Sequence, residues 1–232
     1  MNKPVIKVSV VSDVVCPWCY IGKRRLEKAI DNLSDKYDFN IEYLPFELNP
    51  EMPADGVNQK EYLSKKFGGE ARYHQITAHT ASVAEGEGLA FNFGLQHISP
   101  NTRNAHRLIQ LAKNYGKQVL LAEAFFKAYF TDGVDLSRRD NLVAIATSCG
   151  LDEQVVRNFL QSEAGLVEVE VTERQLQQLG ISGVPFYIVN NTFGISGAQP
   201  PETFIKAFEE IASSVPSATV DGEACDVEKK NC

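Results

Sequence analysis

The sequence predicts an α/β fold, in which a four-stranded mixed sheet is interrupted by a large all-helical insertion. Three observations lead to this prediction. Residues 5–11 form a β-branched apolar run and are followed by helical spacing over residues 17–33. A long, mostly helical region then covers residues 58–179. Strand patterns return at residues 184–189, before a final helix.

The first half of the sheet follows from apolar spacing. Residues 5–11 are typical of a buried strand, and residues 39–46 predict a second one. Between them, Leu26, Ile30 and Leu33 recur at helical intervals. Pro17 lies near the first turn of this helix, where the missing N–H costs nothing. This strand–helix–strand order predicts a right-handed βαβ unit.

The region after the second strand is too long to be a loop. Turn residues in "NPEMPADG" mark its entrance, and two of its helical segments stop at Gly116 and Gly150. A connection of this length should form a subdomain of its own. We therefore predict a helical insertion over residues 49–179.

The last elements predict a ββα unit. Residues 184–189 and "TFGIS" flank a tight "NN" turn, and Pro201 opens a helix with one apolar stripe. Residues 1–48 and 180–214 then form one discontinuous sheet domain around the insertion. Residues 215–232 lack core-forming side chains and are predicted to be a tail with two cysteines.

Composition and net charge argue against some classes of function. The net charge of −7 leaves no basic surplus for a general nucleic-acid binder. We find no apolar stretch of a secretory leader and no run that could span a bilayer. A cytoplasmic protein is therefore expected, with no membrane partner. In a reducing compartment, a disulfide among the five cysteines should be catalytic and transient.

The motif "CPWC" carries the strongest chemical indication. Cys16 and Cys19 stand at i and i+3 at the start of the predicted helix, with Pro17 and Trp18 between them. The helix N-terminus favours an anion, and therefore the attacking thiolate, at Cys16. Cys19 lies one turn deeper and suits a resolving thiol, while Trp18 can shield the site or contact substrate.

Two other interpretations of this pair are weaker. A structural zinc site needs four ligands, and the remaining cysteines and the four histidines do not supply them at suitable spacing. We therefore expect no metal. Two buried core cysteines would explain the residues but not their position between a strand and a helix.

A second motif, "GISGVPFYIVNN", holds the Val184–Pro185 bond just before a strand. A cis bond there would turn the neighbouring backbone N–H and C=O towards a substrate chain, although trans is the default for proline. Together with "DVVCPWCYIG", "LPFELNP" and the helical insertion, this motif resembles DsbA-family thioredoxin-fold oxidoreductases, especially their FrnE-like branch. The resemblance implies a thioredoxin-like fold with Cys16 as nucleophile, Cys19 as resolving thiol and Pro185 as a cis-proline facing them.

The expected function is a thiol–disulfide oxidoreductase or isomerase acting on protein or small-molecule disulfides. It needs no bound cofactor, with glutathione or another thiol as co-substrate. One alternative is a glutathione-dependent isomerase or transferase, although members of that type in the superfamily typically have serine in place of Cys16. Another alternative is a polypeptide-binding chaperone that uses an apolar cleft. The direction of the redox reaction and the oligomeric state do not follow from the sequence.

Several further residues have more than one interpretation. Asp13 could act on the thiol proton or be a surface acid, and His106 could lie on a helix surface, in the core or near the site. Cys149 is predicted to be buried and inert. The basic run from Lys23 to Lys28 is predicted to be a solvated helix face. Asn49 and Pro50 could border the site by resemblance. Cys225 and Cys232 could be incidental thiols or a second redox pair.

Overall fold

The computed structural model of the protein describes residues 3–214. In chain order, the elements are β1 (Val5–Ser12), α1 (Pro17–Leu33), β2 (Asp38–Pro45), β3 (Val57–Asn58), α2 (Gln59–Phe67), α3 (Glu70–Gly86), β4 (Ile98–Ser99), α4 (Arg103–Lys113), α5 (Gln118–Phe130), α6 (Arg139–Ser148), α7 (Glu153–Gln161), α8 (Leu166–Gln178), β5 (Phe186–Val189), β6 (Phe193–Ser196) and α9 (Pro201–Ser214).

The central sheet has the strand order β2-β1-β5-β6. β1 is parallel to β2, with Ser12 opposite Pro45, and antiparallel to β5, with Val11 opposite Phe186. β6 closes the second edge as a hairpin with β5. The predicted fold class, a mixed four-stranded sheet with a helical insertion, is confirmed. Because β1 and β2 end at the edge where β5 begins, the loops that follow or precede these strands meet there.

Both faces of the sheet are covered. The last five residues of β1, Val8 to Ser12, are all buried, as expected for a strand packed on two sides. On one side α1 and α9 pack together, and α9 places Phe204 against Tyr187 and Phe208 against Phe39. Helices α4, α5 and α8 contact β2. α1 spans the residues that its apolar spacing predicts.

The insertion shares one hydrophobic core with the sheet. Tyr20 of α1 stacks on Phe126 of α5, with ring centres 5.0 Å apart. Val8, Leu26, Leu108, Phe125 and Leu142 belong to the same buried cluster, although they come from both parts of the chain. The proposed boundaries at residues 49 and 179 therefore separate sequence segments and not separate cores.

The hairpin turn and two helix ends follow their sequence chemistry, whereas one detail of the insertion was not expected. Asn190 and Asn191 both adopt positive φ, 49° and 59°, which forms the tight β5–β6 hairpin turn. Gly116 and Gly150 also have positive φ, as helix-terminating glycines do. Besides its helices, the insertion contains a short antiparallel ribbon formed by β3 and β4.

The basic run on α1 is not the solvated face that the sequence suggested. Lys23 is buried and pairs with Glu27 and Glu123, and Arg24 also contacts Glu123. Glu27 lies on α1 itself, whereas Glu123 lies on α5. Part of the negative charge that compensates the buried lysine therefore comes from another helix, which the sequence of α1 alone does not indicate. Only one of the four basic residues, Lys28, is largely exposed.

Within residues 3–214, no helix is both long enough and apolar enough to cross a membrane. Cys225 and Cys232 lie outside the described residues. Both interpretations, incidental thiols and a second redox pair, stay predictions, and disulfide mapping of oxidised protein would distinguish them.

Candidate active site

Cys16 caps the N-terminus of α1 and is followed at once by Pro17. Its backbone is extended, with φ −90° and ψ 112°, and its N–H donates to Asp13 O at 3.0 Å. The first turn of the helix contains no acidic side chain. The Cys16 sulfur therefore lies at the positive end of the helix dipole, with no carboxylate on that turn.

The Val184–Pro185 bond is cis, as the family resemblance implied. Cys16 Sγ lies 3.7 Å from Val184 O and can donate to it. Pairing of β5 with β1 holds this loop against the start of α1. The two motifs that the sequence singled out, 168 residues apart along the chain, thus meet at one place.

Cys19 is the more deeply buried thiol of the pair. Burial raises its pKa well above the ordinary value, and the neighbouring Cys16 raises the pKa further. Hydrogen bonding with Ser12 and the Asp13 backbone opposes this shift without cancelling it. Cys19 is therefore held as a thiol, which suits a group that acts second.

Asp13 is not a surface acid. It is 1% exposed, and its carboxylate accepts from Leu48 N at 2.8 Å and lies 3.2 Å from His106 Nε2. Burial lowers the pKa of His106, but the hydrogen bond and charge of Asp13, together with the charges of Glu47 and Glu173, outweigh burial, so the pKa is raised overall. A buried ion pair thus lies three residues before the candidate nucleophile.

The polar cluster extends beyond this pair. Arg103 Nε donates to Glu47 at 2.9 Å, and Glu173 accepts from Glu47 N at 2.6 Å. Burial raises the pKa of both glutamates. The charge of Glu173 also raises the pKa of Glu47, and the charge of Asp13 raises the pKa of Glu173. Glu47 and Glu173 also favour the charged form of His106. No local sequence pattern indicates this cluster, because its members come from α4, α8 and the loops after β1 and β2.

A cavity of about 380 Å³ opens beside Cys16. It is bounded by the start of α1, the loop after β2, helices α2, α3 and α5, and Val184. Its apolar walls include Trp18, Leu48, Met52, Leu63, Phe67 and Ile76. The volume falls within the roughly 300–1,000 Å³ typical of small-molecule sites. Sequence reasoning anticipated Trp18 and Asn49 here but missed the side chains of α2 and α3.

Of the other candidate residues, one lines the cavity and two do not. Asn49 lines the cavity and donates to Tyr62 Oη at 3.3 Å, whereas Pro50 is exposed and is not among the lining residues. Cys149 is buried near Lys117 and away from the pair, and burial raises its thiol pKa, as expected for an inert cysteine. Across residues 3–214, no group of three histidine, cysteine or carboxylate side chains could hold a metal.

A dithiol at a helix N-terminus beside a cis-proline, on this sheet, is the arrangement of thioredoxin-fold redox proteins. The chain belongs to the DSBA-like thioredoxin domain family, whose model matches residues 7–209. It is 33% identical to a probable DsbA oxidoreductase from Streptomyces coelicolor, with a TM-score of 0.84 and coverage of 96% of this chain and 97% of that one.

Two further proteins are similar to this chain. An uncharacterised protein of Bacillus subtilis, YwbO, is 27% identical over 206 residues, which cover 88% of this chain and 96% of that protein. A putative protein disulfide isomerase from Nitrosomonas europaea shares the fold, with a TM-score of 0.67 at 19% identity and coverage of 91% and 98%.

Proposed function

We propose that this protein exchanges disulfides with protein or small-molecule substrates, with Cys16 as nucleophile and Cys19 as resolving thiol. One observation carries the proposal. The Cys16 sulfur lies between a helix N-terminus and the Val184 carbonyl and borders a cavity, while the Cys19 thiol lies behind it.

The exchange balances in two steps. The Cys16 thiolate attacks one sulfur of a substrate disulfide, which forms a mixed disulfide and expels the other sulfur as a thiolate. Cys19, after losing its proton, attacks the Cys16 sulfur, which forms the Cys16–Cys19 disulfide and releases the second substrate thiolate. The protein dithiol is oxidised by two electrons, and the substrate disulfide is reduced. The reverse sequence oxidises a substrate dithiol.

Two equivalents of an external thiol must restore the reduced pair, and they leave as a disulfide. We propose glutathione, or another thiol, as this co-substrate, with no bound cofactor, and the cytoplasm as the compartment that supplies it. The FrnE-like assignment belongs to the same proposal, since it rests on the CPWC and GVPF motifs together with the helical insertion. Fractionation of cells and measurement of the equilibrium potential of the pair against glutathione test these points.

Insulin reduction tests the function directly. We expect the wild type to accelerate reduction and Cys16→Ser to lose this activity. Cys149→Ser is the matched control, because it removes a buried thiol that borders neither Cys16 nor the cavity. If Cys16→Ser kept full activity, or if Cys149→Ser lost it equally, the proposed role of the pair would be wrong.

The apolar cavity supports two other candidate functions. A glutathione-dependent isomerase or transferase would place a small molecule in it, and turnover of 2-hydroxychromene-2-carboxylate with glutathione would reveal that activity. A chaperone would bind unfolded polypeptide there. Suppression of aggregation that survives Cys16→Ser, in the absence of insulin reduction, would favour the chaperone.

A further inference from the structure

We propose that the hydroxyl groups of Ser12 and Tyr187 stabilise the thiolate of Cys19 during the second step of exchange. This inference rests on the proposed function and names two residues outside the CPWC motif. In this step Cys19 loses its proton to solvent, and its thiolate attacks the Cys16 sulfur of the mixed disulfide. The Cys16–Cys19 bond forms, the bond from Cys16 to the substrate sulfur breaks, and the substrate leaves as a thiolate. A negative charge is therefore placed on a residue that is only 2% exposed.

The pairing of the strands puts both hydroxyl side chains on one face of the sheet. Val10 of β1 lies opposite Tyr43 of β2 and opposite Tyr187 of β5. Side chains two residues apart on a strand point to the same face, so Ser12 shares the face of Val10 and of its partner Tyr187. Val10, Tyr187 and Cys19 belong to one buried cluster, and Ser12 is 4% exposed. The resolving thiol is therefore buried in the same layer as both hydroxyls.

Ser12 already interacts with Cys19 in the dithiol. Burial and the neighbouring Cys16 raise the pKa of Cys19, whereas a hydrogen bond with the Ser12 side chain and one with the Asp13 backbone lower it. A hydrogen bond is stronger when its acceptor is charged. The Ser12 hydroxyl therefore stabilises the Cys19 thiolate more than the Cys19 thiol, and the same bond becomes stronger as the attacking anion forms.

Tyr187 supplies a hydroxyl that the dithiol leaves unused. The residue is fully buried, and its Oη has no hydrogen-bond partner in the part of the chain that the structure describes. An unpaired buried hydroxyl costs free energy. A Cβ on Gly22 would lie 2.2 Å from this oxygen, which places the hydroxyl against α1. Gly22 follows Cys19 by three residues, so both lie on the same side of the helix.

The phenol and the thiol are close enough to interact electrostatically. Burial raises the pKa of Tyr187 most, and a negative charge on Cys19 raises it further, more than a charge on Cys16 does. Tyr187 therefore keeps its proton and can donate it to a hydrogen bond. Because little water screens a buried site, a hydroxyl dipole stabilises a nearby charge there even without direct contact. The Tyr187 hydroxyl thus favours the Cys19 thiolate, although it is unpaired beside the thiol.

The test measures both steps of a single turnover. Reduced full-length protein is mixed with excess bis(2-hydroxyethyl) disulfide, a neutral substrate, and quenched with acid after increasing times. Peptic digestion and mass spectrometry then follow the mixed disulfide at Cys16, which gives the first rate, and its conversion to the Cys16–Cys19 disulfide, which gives the second. We expect Ser12→Ala to lower the second rate about tenfold and Tyr187→Phe at least about threefold, with the first rate within about twofold of wild type.

Two variants control the serine substitution. Ser9→Ala removes another buried hydroxyl of β1, but this hydroxyl points to the opposite face and donates to Glu42 at 2.7 Å. It should leave the ratio of the second rate to the first unchanged. Ser12→Thr keeps a hydroxyl at residue 12 and should retain most of the second rate. A loss in Ser12→Thr equal to that in Ser12→Ala would contradict a role for the hydroxyl.

Tyr43→Phe controls the tyrosine substitution, because Tyr43 flanks Val10 on the other side. Burial raises the pKa of Tyr43 most, and the charges of Glu27 and Glu123 then act on it more strongly than Cys19 does. Tyr43→Phe should therefore lower the second rate less than Tyr187→Phe does. An equal or larger loss in Tyr43→Phe would overturn the specific role of Tyr187.

The outcomes separate this inference from the function beneath it. A second rate that is unchanged in Ser12→Ala or in Tyr187→Phe would overturn the role of that hydroxyl and leave disulfide exchange intact. A parallel fall of both rates would assign the side chain to packing and overturn its role equally. Failure of the wild type to form the mixed disulfide at Cys16 would instead contradict the proposed function.

Discussion

At the scale of single residues, the two thiols of the pair differ in their surroundings although they share one helical turn. Cys16 lines the cavity and lies at the helix end, whereas Cys19 is 2% exposed and is absent from the lining. Burial and the neighbouring Cys16 raise the Cys19 pKa well above its ordinary value. The order of attack proposed above is therefore built into the environment of each sulfur.

This difference predicts the order of alkylation. In a short pulse of iodoacetamide at pH 7, we expect Cys16 to be modified at least about tenfold faster than Cys19, since the thiolate is the reacting form. Mass spectrometry of Cys19→Ser and Cys16→Ser variants gives the two rates separately. Faster labelling of Cys19 would reverse the two roles.

The Asp13–His106 pair predicts a pH-dependent stability. The folded pKa of His106 lies above the unfolded value of about 6.5. The contribution of the charged His106 imidazole to the free energy of unfolding is therefore fully present below about pH 6.5. It is lost as the pH rises through the folded pKa. Because His106→Ala leaves the buried Asp13 carboxylate without its cation, we expect a loss of roughly 3–5 kcal/mol at pH 6.

Urea unfolding at pH 6 and pH 9 measures this effect. The difference in the free energy of unfolding between the wild type and His106→Ala should be smaller at pH 9 than at pH 6. His97→Ala, which removes an exposed imidazole, should change stability little at either pH. A His106→Ala deficit that is the same at both pH values would mean that the charge of the imidazolium contributes nothing.

At the scale of elements, one glycine sets how closely α1 approaches the cis-proline loop. A Cβ atom on Gly22 would lie 2.2 Å from Tyr187 Oη and 3.3 Å from Pro185 Cγ. The Tyr187 hydroxyl is buried and has no hydrogen-bond partner among the described residues. The absence of a side chain at residue 22 therefore allows α1, β5 and the loop before it to pack directly together.

A double-mutant cycle tests this contact. We expect Gly22→Ala to destabilise the protein by about 1–3 kcal/mol through overpacking, and Tyr187→Phe to recover part of the loss by removing the clashing oxygen. Tyr187→Phe alone should be nearly neutral or stabilising, because no hydrogen bond to a described residue is lost. Chemical denaturation gives all four free energies of unfolding.

A matched glycine supplies the control. Gly86 ends α3, and a Cβ there would meet no atom within 4 Å, so Gly86→Ala should leave stability unchanged or raise it slightly. Additive effects of Gly22→Ala and Tyr187→Phe would show that the hydroxyl is not what excludes a side chain.

The elements also show which parts of the fold could be predicted from the sequence. The bounds of α1 and the Asn190–Asn191 turn follow from local spacing and backbone preferences, which neighbours along the chain determine. The burial of Lys23 depends on Glu123, which lies one hundred residues later, and the Asp13–His106 pair spans 93 residues. Such pairs exist only after the helices pack, so no local pattern indicates them.

At the scale of the whole molecule, the continuous core predicts cooperative unfolding. Tyr20 packs on Phe126, and Arg25 and Lys28 of α1 both pair with Glu87 beyond α3. The sheet and the insertion therefore share buried and charged contacts, and neither buries its apolar surface alone.

Two probes can follow the transition. Trp18 is the one tryptophan of the chain and lies where α1 faces α3, so its fluorescence reports the contact between the two parts. Far-ultraviolet circular dichroism reports mainly the helices of the insertion. We expect the two denaturation curves to coincide, as in a two-state transition. A fluorescence midpoint clearly separated from the dichroism midpoint would show that the insertion unfolds as an independent unit.

The edge at which β1 and β2 end and β5 begins has a consequence for how such proteins diversify. Both joints of the insertion lie there, next to Cys16, so the inserted helices form a roof over the sulfur without interrupting the sheet. Most of the cavity wall comes from the insertion, whereas the dithiol and two wall residues, Trp18 and Val184, come from the sheet domain. Exchange of the inserted helices between relatives would therefore reshape most of this wall without changing the segment that carries Cys16 and Cys19.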